Sequence, residues 1–425
     1  MAFWETQIWQ SRFESGMPAR LRRSGEYQSY VPDILENTQL NLTEETAQIV
    51  WEAERALQNI PGDPNDLAAL SRFLLRSEAI ASSRIEGVAP SPKQIAVAEL
   101  SQNETMPRVK ELAQLVANNI TVVTAAHNEL TDKPEVTGDD IVRLQAALLA
   151  GEPELHGIRE MQNWIGVYGT PLDADFVPPA PERVPELLDD LAKYLSGVAH
   201  SPIVQAALMH AQFETIHPFI DGNGRVGRAL IHTVFSRRGA TTGAILPVSL
   251  ILSTRREQYI RALSTFRYTG EPGGAECQEA QNEWIEVFAK AVILAAEQAG
   301  ILAEQLGFLR EQWRGRLNAY RTDAGFTRTL RADSVTAQIL HSLPATPVLT
   351  PRTAARVYGC SPQAALKALD ELAEAGVLEK TKPQGIALFQ SNDVLDLLTL
   401  TERKLASTQF DTRISKPVRA VPALP

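Results

Sequence analysis

The stretch from His217 to Arg228 reads HPFIDGNGRVGR and directly follows an apolar helical run. His217 can take up a proton near neutral pH, since the unperturbed pKa of a histidine is about 6.5. Asp221 offers a hard oxygen ligand suited to Mg²⁺, an ion that typically binds carboxylates together with phosphate oxygens. A base and a metal ligand so close in the chain point to chemistry on a phosphate group.

The glycine-rich part of the same stretch predicts an anion-binding loop. Gly222 and Gly224 lack side chains, so backbone N–H groups of the turn can approach an anion closely. Arg225 and Arg228 lie about one turn apart at the start of the next helix and share one face of it. The N-terminus of that helix adds a partial positive charge. We therefore predict a nucleotide-phosphate site.

Other kinds of site fit these residues less well. The sequence lacks G-x-x-x-x-G-K-[ST], so the loop is not a P-loop, and it lacks the set of kinase motifs. A one-metal phosphodiesterase built on His217 and Asn223 would not need two arginines after the glycine turn. A glycine turn or a histidine by itself is often structural, but here both coincide with Asp221 and the arginines.

The whole stretch resembles the motif of the Fic family of nucleotidyltransferases, HxFx[DE]GNGRxxR. Every fixed position of that motif is met, by His217, Phe219, Asp221, Gly222, Asn223, Gly224, Arg225 and Arg228. The resemblance implies a mainly α fold, in which a helical Fic core carries a β-hairpin flap. It also implies that AMP is transferred from ATP to a hydroxyl side chain of a target protein.

The resemblance assigns a role to each residue. His217 would deprotonate the target hydroxyl, and Asp221 would hold Mg²⁺ on the phosphates. Residues 222–225 would bind the α- and β-phosphates, Arg228 would reach the γ-phosphate, and Phe219 would anchor the loop in the core. The nucleotide-binding residues inferred in this way are Gly222, Asn223, Gly224, Arg225, Val226, Gly227 and Arg228.

Length and composition indicate a globular protein of two or three domains. The chain has 425 residues, is 44% hydrophobic and carries a formal net charge of −10. This charge argues against a surface that coats nucleic acid. Cys277 and Cys360 form no metal or redox motif, which fits a reducing cytoplasm. Without an apolar signal segment or an uninterrupted apolar span, we expect a cytoplasmic protein with no membrane partner.

The N-terminal region, 1–108, is predicted to be helical after an extended arm at Tyr30-Val31-Pro32. Its informative helix covers about 66–87, opens at Asn65 or Asp66 as the cap, and ends at Gly87 in a left-handed conformation. Because Ser82 and Glu86 are four residues apart, they project from one face near the end of this helix.

Glu86 is badly placed for the helix dipole, which favours cations at a C-terminus, so a cation elsewhere should compensate it. The segment resembles the [ST]xxxE[GN] inhibitory motif of Fic proteins that carry the inhibitory helix before the core. In that resemblance Glu86 pairs with Arg228 and blocks the γ-phosphate, while Ser82 supports the pair. The alternative is an ordinary solvated glutamate, because so short a motif also occurs by chance.

The core is predicted over residues 109–300, with the Fic-type (Fido) domain at about 135–290. A helix from Ile203 to Ile216 should present one buried face and deliver His217 at its end. Two apolar segments within 157–179 predict a β-hairpin. In Fic proteins the corresponding hairpin is a flap that aligns the target segment by main-chain pairing. An edge hairpin that covers the core is the alternative.

The C-terminal region, 301–400, is predicted to hold a linker helix and a winged-helix domain. Thr350-Pro351 and Ser361-Pro362 are each a cap followed by a proline at the first helical position, and two short strands follow. The second helix carries Lys367 but also acidic residues that would repel phosphates, so a partner- or dimer-facing module is favoured over DNA binding. Those acidic residues are Asp370, Glu371 and Glu374. We expect an irregular tail over 401–425.

Two functions from different classes remain. The first is an autoinhibited protein adenylyltransferase that uses ATP and Mg²⁺ to modify Ser, Thr or Tyr of a target protein or of itself. The same Glu86 could instead position a water for removal of AMP from the target. The second is a winged-helix DNA-binding regulator in which the nucleotide site serves as a sensor. The resemblance also suggests a homodimer.

Overall fold

The computed structural model describes residues 1–11, 19–36, 38–59, 67–106, 109–166, 169–241, 245–328 and 330–408. The fold is mainly α, as predicted. The helices run in chain order as α1 (Glu44–Gln58), α2 (Leu67–Ile85), α3 (Pro92–Ser101), α4 (Glu111–Leu130), α5 (Gly138–Leu148), α6 (Val184–Ser196), α7 (Pro202–Ile216), α8 (Asn223–Arg237), α9 (Val248–Thr254), α10 (Arg256–Thr265), α11 (Ala275–Asp323), α12 (Val335–Ser342), α13 (Pro351–Tyr358), α14 (Pro362–Glu374) and α15 (Asn392–Thr408).

The N-terminus forms an antiparallel β-hairpin instead of the simple extended arm that we expected. Strand β1 (Phe3–Trp9) pairs with β2 (Gly25–Val31), with Phe3 opposite Val31 and Trp9 opposite Gly25. The two strands alternate between more and less exposed residues, as one half-covered face of a sheet requires. The N-terminal region is therefore not wholly helical.

Local capping explains where several helices begin. The Thr43 side chain accepts a hydrogen bond from the backbone N–H of Thr46 at the start of α1. Ser91 and Gln94 form a capping box at the start of α3. Gly87 follows α2 with φ of 81°, which confirms the predicted left-handed turn. The predicted cap of α2 at residues 65 and 66 lies outside the described residues.

The centre of the fold is the antiparallel pair α7 and α8. Nearly every residue of both helices is buried, so each is packed by neighbours on all sides. Helix α11 covers α7, and the indole N–H of Trp284 donates to the carbonyl of Ala207 at 2.7 Å. Helix α11 extends over 49 residues, so the predicted domain boundary at residue 300 falls within one continuous helix.

The α7–α8 crossing depends on a glycine. A Cβ atom on Gly227 would lie 2.8 Å from both Glu214 Oε1 and Phe213 Cδ1. We expect Gly227→Ala to lower the free energy of unfolding by about 1–3 kcal/mol, the usual cost of overpacking a core. Gly307→Ala, on α11 where nothing lies within 4 Å of the new methyl group, should raise that free energy by about 0.5–1 kcal/mol. Urea unfolding measures the free energy of unfolding of both variants. Equal changes in the two would contradict the argument that a methyl group at 227 overcrowds the crossing.

The C-terminal region packs on α2, the helix that carries Ser82 and ends directly before Glu86. Arg76 of α2 is almost wholly buried and forms a two-point ion pair with Glu99 of α3, at 2.8 and 3.0 Å. The same guanidinium donates to the carbonyls of Pro344 and Ala345, which follow α12. Just after the end of α3, the Glu104 carboxylate accepts a hydrogen bond from the hydroxyl of Thr350, the N-cap of α13. Helices α2 and α3 therefore connect the two ends of the chain.

The C-terminal elements combine α12, α13 and α14 with a small antiparallel sheet in the order β3-β5-β4. The strands are β3 (Val348–Leu349), β4 (Glu379–Thr381) and β5 (Leu388–Gln390). The expectation of an irregular tail from residue 401 was wrong for its first part, because α15 continues to Thr408. Residues 409–425 lie outside the described residues.

The acidic residues of α14 are engaged within the protein. Glu371 binds Arg321 of α11, Glu374 accepts from the hydroxyl of Tyr320, and Lys380 of β4 binds Asp370 at 2.5 Å. Their charges are thus partly compensated, so they weigh less against DNA than the sequence suggested. The described helices include none that is both long enough and apolar enough to cross a bilayer.

Candidate active site

The loop between α7 and α8 is held in one conformation by its own residues. Helix α7 ends at His217, which adopts φ of 49° and ψ of 60°, an uncommon backbone conformation for a residue other than glycine. Asn223 closes the loop, because its side chain accepts from the N–H of Phe219 at 2.9 Å and donates to the carbonyl of Phe219 at 2.8 Å. Phe219 is fully buried, as predicted for an anchor.

Two residues of the 157–179 segment hold the backbone of His217. Arg159, which is almost wholly buried, donates from Nε to the His217 carbonyl at 2.9 Å. Its backbone N–H donates to the carbonyl of Pro218 at 2.9 Å. Asn163 donates to the carbonyl of Phe219 at 3.0 Å. The sequence reasoning missed both residues, since an isolated arginine or asparagine carries no spacing signal.

The surroundings of His217 keep its imidazole neutral. Burial lowers the pKa of His217 to about 4, and the nearby charge of Arg159 acts in the same direction, while the Glu86 carboxylate opposes both. The side chain is half-buried and its Nδ1 lacks a hydrogen-bond partner among the described residues. A neutral imidazole at pH 7 is able to accept a proton.

The start of α8 is built to receive an anion. Gly222, with φ of 90°, is the N-cap and contributes no side-chain cap, which leaves the first N–H groups of α8 to other partners. Arg225 is buried, and its Nε and Nη1 have no hydrogen-bond partner among the described residues. Its Nη2 donates to Asp221 at 3.0 Å. Buried guanidinium donors without partners favour a bound anion.

The structure places the remaining predicted nucleotide-binding residues differently from one another. Val226 is fully buried in the hydrophobic core, and Gly227 faces α7. Gly224 lies about one turn before Gly227 and faces Glu86, since a Cβ atom there would overlap Glu86 Oε1 and lie 2.8 Å from Arg228 Nη1. The space beside Gly224 is therefore occupied by the Glu86 carboxylate and the Arg228 guanidinium.

Glu86 and Ser82 meet Arg228 across this site. Arg228 Nη2 donates to Glu86 Oε1 at 2.7 Å and to the Ser82 carbonyl at 2.9 Å, and its Nε donates to Ser82 Oγ at 2.9 Å. Burial acts to raise the pKa of Glu86, but the charge and hydrogen bond of Arg228 outweigh it and lower that pKa. Glu86 lies just beyond Ile85, the last residue of α2, so the compensating cation is the one that the sequence suggested.

A buried carboxylate, Glu78, joins the middle of α2 to α8 and α9. Glu78 is fully buried, and it accepts from the Ser249 N–H at 2.7 Å and from His232 Nε2 at 2.9 Å. Glu78, Ser82 and Glu86 follow one another at intervals of four residues, so Glu78 and Ser82 share one face of α2 and Glu86 continues the row just beyond the end of the helix. Glu78 thus joins α2 to α8 and α9 two turns before Glu86.

We expect Glu78→Ala to lower the free energy of unfolding by about 3–5 kcal/mol, because it leaves buried donors on α8 and α9 without their acceptor. Arg72→Ala, at an exposed position of the same helix, should change it by less than about 0.5 kcal/mol. Urea unfolding monitored by circular dichroism compares the two variants. Similar small losses in both would show that Glu78 does not anchor α2.

The predicted β-hairpin over 157–179 is reduced to one antiparallel bridge, between Ile165 and Phe176. The expectation of two paired strands was wrong for the described residues, and the 3-10 turn Pro171–Asp173 lies in the connection between the two sides. The N-terminal hairpin extends this segment, since the N–H of Tyr30 donates to the carbonyl of Val177 at 3.0 Å. The tip at 167–168 lies outside the described residues.

Behind the loop lies a group of buried polar residues that the sequence reasoning did not single out. His210 shares a hydrogen bond of 2.8 Å between its Nε2 and the Tyr259 hydroxyl. Glu214 is nine-tenths buried one turn before His217. Arg267 stacks its guanidinium on the Phe176 ring at 3.4 Å from the centroid. These side chains line the inner side of the site rather than its opening.

A metal would have to bind at Asp221 together with a phosphate. The Asp221 side chain is about half exposed (52%), and its two oxygens contact the Gly222 N–H and Arg225. No cluster of three or more His, Cys, Asp or Glu residues that could enclose an ion is found among the described residues. One accessible carboxylate fits Mg²⁺ that arrives with nucleotide phosphates and keeps several waters.

Comparison with known proteins gives matches to one family. Residues 135–235 match the sequence model of the Fic/DOC family. The chain is 36% identical over 130 residues to protein adenylyltransferase fic-1 of Caenorhabditis briggsae, covering 29% of this chain and 23% of that protein. It is 28% identical over 193 residues to a probable protein adenylyltransferase of Aquifex aeolicus, covering 45% and 54%. The chain thus spans between a quarter and about half of the length of these curated relatives.

A solved structure gives a match over a larger part of the chain. A Fic family protein from Desulfovibrio desulfuricans G20 has a TM-score of 0.50 and 20% sequence identity, and the match covers 83% of this chain and 98% of that one. This likeness concerns the fold. Together with the matched residues, which include the complete His217 to Arg228 loop, it shows that this chain contains a Fic domain.

Proposed function

We propose that this protein is an autoinhibited protein adenylyltransferase, which transfers AMP from ATP to a Ser, Thr or Tyr hydroxyl of a target protein and of itself. The observation that carries the proposal is the start of α8, where Arg225 has buried donors without partners beside an uncapped helix N-terminus. The relatives named adenylyltransferases support the chemistry.

In the proposed reaction His217 removes the proton of the target hydroxyl. The resulting oxygen attacks the α-phosphorus of ATP, and the bond from that phosphorus to the bridging oxygen of the β-phosphate breaks. Pyrophosphate leaves, and AMP stays on the target as a phosphoester. The lowered pKa of His217 keeps the imidazole neutral at pH 7 and so able to accept the proton, but it also makes His217 a weaker base than an ordinary histidine.

The nucleotide phosphates would bind against α8. Backbone N–H groups of residues 222–225 and the free donors of Arg225 would hold the α- and β-phosphates, and Arg228 would hold the γ-phosphate. Asp221 would hold Mg²⁺, which neutralises the charge that develops on the leaving pyrophosphate. Binding requires Asp221 to loosen its contact with Arg225, which is made through one nitrogen.

Inhibition follows from the position of Glu86. Its carboxylate occupies the space over Gly224 and engages Arg228, so a γ-phosphate would meet both a negative charge and an occupied partner. The target would lie along the 157–179 segment by main-chain pairing. We favour a protein-facing role for the C-terminal elements, proposed as a winged helix, and a homodimer as the assembly.

The test uses two samples of ATP, one labelled at the α-phosphate and one at the γ-phosphate. Each is incubated with Mg²⁺ and the Glu86→Gly variant, and the label bound to protein is measured. AMP transfer places the α label on protein and leaves the γ label in solution. Transfer of the γ label instead would make the chain a phosphotransferase. Absence of both labels, with ATP bound and with GTP, CTP and UTP also tried, would refute the proposal and favour a nucleotide sensor.

A further inference from the structure

Glu214 is a buried carboxylate to which the reaction proposed above gives no role. It lies on α7 one turn before His217 and is 7% exposed. Its Oε1 has no hydrogen-bond partner among the described residues. A carboxylate this deeply buried is costly unless a cation or a donor compensates it. The nearest compensation comes from α8.

The Glu214 carboxyl group lies directly against the helix that carries Arg228. Its Oε1 is 2.8 Å from the position that a Cβ atom on Gly227 would take, and Gly227 is the residue before Arg228. The contact is possible because glycine leaves this side of α8 open. The Glu214 carboxylate therefore lies against the residue that directly precedes Arg228 in α8.

Charged and titratable groups face Glu214 from each element around it. Arg228 projects from α8, Glu86 from the end of α2, and Arg267 from the segment after α10. Tyr259 faces it from α10. Burial raises the pKa of Glu214 to about 7; the charge of Glu86 raises it further, while Arg228 and Arg267 act in the opposite direction.

Arg228 lies among the same charged and titratable groups as Glu214. Burial acts to lower its pKa, but the charges of Glu86 and Glu214 and the nearby Tyr259 outweigh it and hold the guanidinium protonated. Glu86 is the carboxylate that binds Arg228 directly in this structure. When Glu86 withdraws, a cation that is 1% exposed loses its paired counter-charge, and such a loss is strongly unfavourable in a protein interior.

We propose that Glu214 is a positioning residue, which becomes the counter-charge of Arg228 when Glu86 withdraws and keeps the guanidinium aimed at the terminal phosphate of the nucleotide. The inference rests on the proposed function, because it takes Arg228 as the γ-phosphate ligand and Glu86 as the group that releases it. Glu214 acts through Arg228 and does not touch the reacting atoms.

The proposal has a definite dependence on pH. The charged form of Glu214 holds Arg228, so ATP should bind more weakly below a pH of about 7, where the carboxyl is protonated, and more tightly above it. Removal of the Glu86 charge removes one cause of the raised pKa. In Glu86→Gly the transition should therefore move to lower pH, and release of Glu86 should be accompanied by loss of a proton from Glu214.

The experiment measures ATP and AMP binding by calorimetry on the full chain, in a Glu86→Gly/His217→Ala background that prevents turnover. Adding Glu214→Gln should raise the Kd for ATP roughly tenfold at pH 8, as expected for loss of one partner of a buried charge. The Kd for AMP, which has no γ-phosphate, should stay unchanged. The Kd for ATP should also depend less on pH, because only the titration of the γ-phosphate itself then remains, and Glu214→Asp should restore the larger dependence.

The matched control is Glu129→Gln, which removes one charge from an exposed position of α4 and should leave both Kd values unchanged. Equal Kd values for ATP with and without Glu214→Gln, or equal weakening of ATP and AMP, would overturn the inference. Failure of the proposed function is distinguishable, because it is judged by AMP transfer in Glu86→Gly, whereas the ATP-to-AMP binding ratio requires no transfer.

Discussion

Glu86→Gly is expected to raise the transfer of AMP from ATP to protein about tenfold or more over the wild type. A hydrogen bond between charged groups contributes about 1.5–3 kcal/mol when buried, and each ~1.4 kcal/mol corresponds to a factor of ten. Glu86 is 40% exposed at its side chain, so the lower part of this range applies. The gain reflects the release of Arg228 and of the space over Gly224.

The substitution is mild for the fold itself. Glu86 follows Ile85, where α2 has already ended, and Gly87 turns the chain away. A glycine at 86 therefore interrupts no helical hydrogen bond. Its effect on activity should exceed its effect on stability.

Label transfer from α-labelled ATP, in the presence of Mg²⁺, measures the effect on wild type and variants at equal concentration. Glu86→Gln retains the size of the side chain but loses its charge, so it separates electrostatic blocking from steric blocking. Ser82→Ala, which removes one hydrogen bond to Arg228, should give an intermediate gain. Transfer by Glu86→Gly no faster than by the wild type would refute the inhibitory role.

His217→Ala in the Glu86→Gly background is expected to lower the rate of transfer by about 10²- to 10⁴-fold, the usual contribution of a general base. The loss should appear in kcat while the Kd for ATP stays similar, because the proposed role of His217 is to take the proton of the target hydroxyl and not to bind the nucleotide. His200→Ala, at a histidine that binds Tyr194 well away from the loop, is the control. A residual rate close to that of Glu86→Gly would exclude His217 as the base.

The pH dependence of ATP binding by Glu86→Gly, which retains His217, separates the effect of His217 from that of Glu214. The pKa of His217 is lowered to about 4, so its neutral form is present above that pH and is lost only as the pH falls through it. Removal of Glu86 lowers that pKa further, since the Glu86 charge favours the imidazolium. A change in ATP binding between pH 5 and 7 therefore belongs to another group. The γ-phosphate of ATP also titrates in this range, so the part of the change that Glu214→Gln removes is the part that belongs to Glu214.

Much of the site could be predicted because its residues are neighbours in sequence. The loop from His217 to Arg228 combines a helix end, a glycine turn and a helix start, and each of these is determined by local backbone preferences. The link from Glu86 to Arg228 could also be anticipated, because a carboxylate at the end of a helix requires a cation from elsewhere. The distance of 2.7 Å between Glu86 and Arg228 agrees with that expectation.

The prediction was less accurate where pairing between distant segments decides the structure. The N-terminal strands β1 and β2 were not anticipated, and the 157–179 segment forms one bridge instead of two strands. In both places backbone hydrogen bonds and aromatic contacts join separate segments, such as Trp9 with Trp164. A linear pattern of apolar residues carries little information about which segments will pair.

The sequence by itself predicted which groups the site contains: the His217 imidazole, the Asp221 carboxylate, a glycine-rich helix start and the Glu86 carboxylate. The tertiary structure alone decided which buried charges share a neighbourhood. Glu78 and Glu214 gained their places from helix crossings, such as the one at Gly227, and Arg159 gained its place from the packing of the 157–179 segment on the loop. The physical reason is that the free energy of a buried charge depends on which distant groups face it, and no local spacing encodes those contacts.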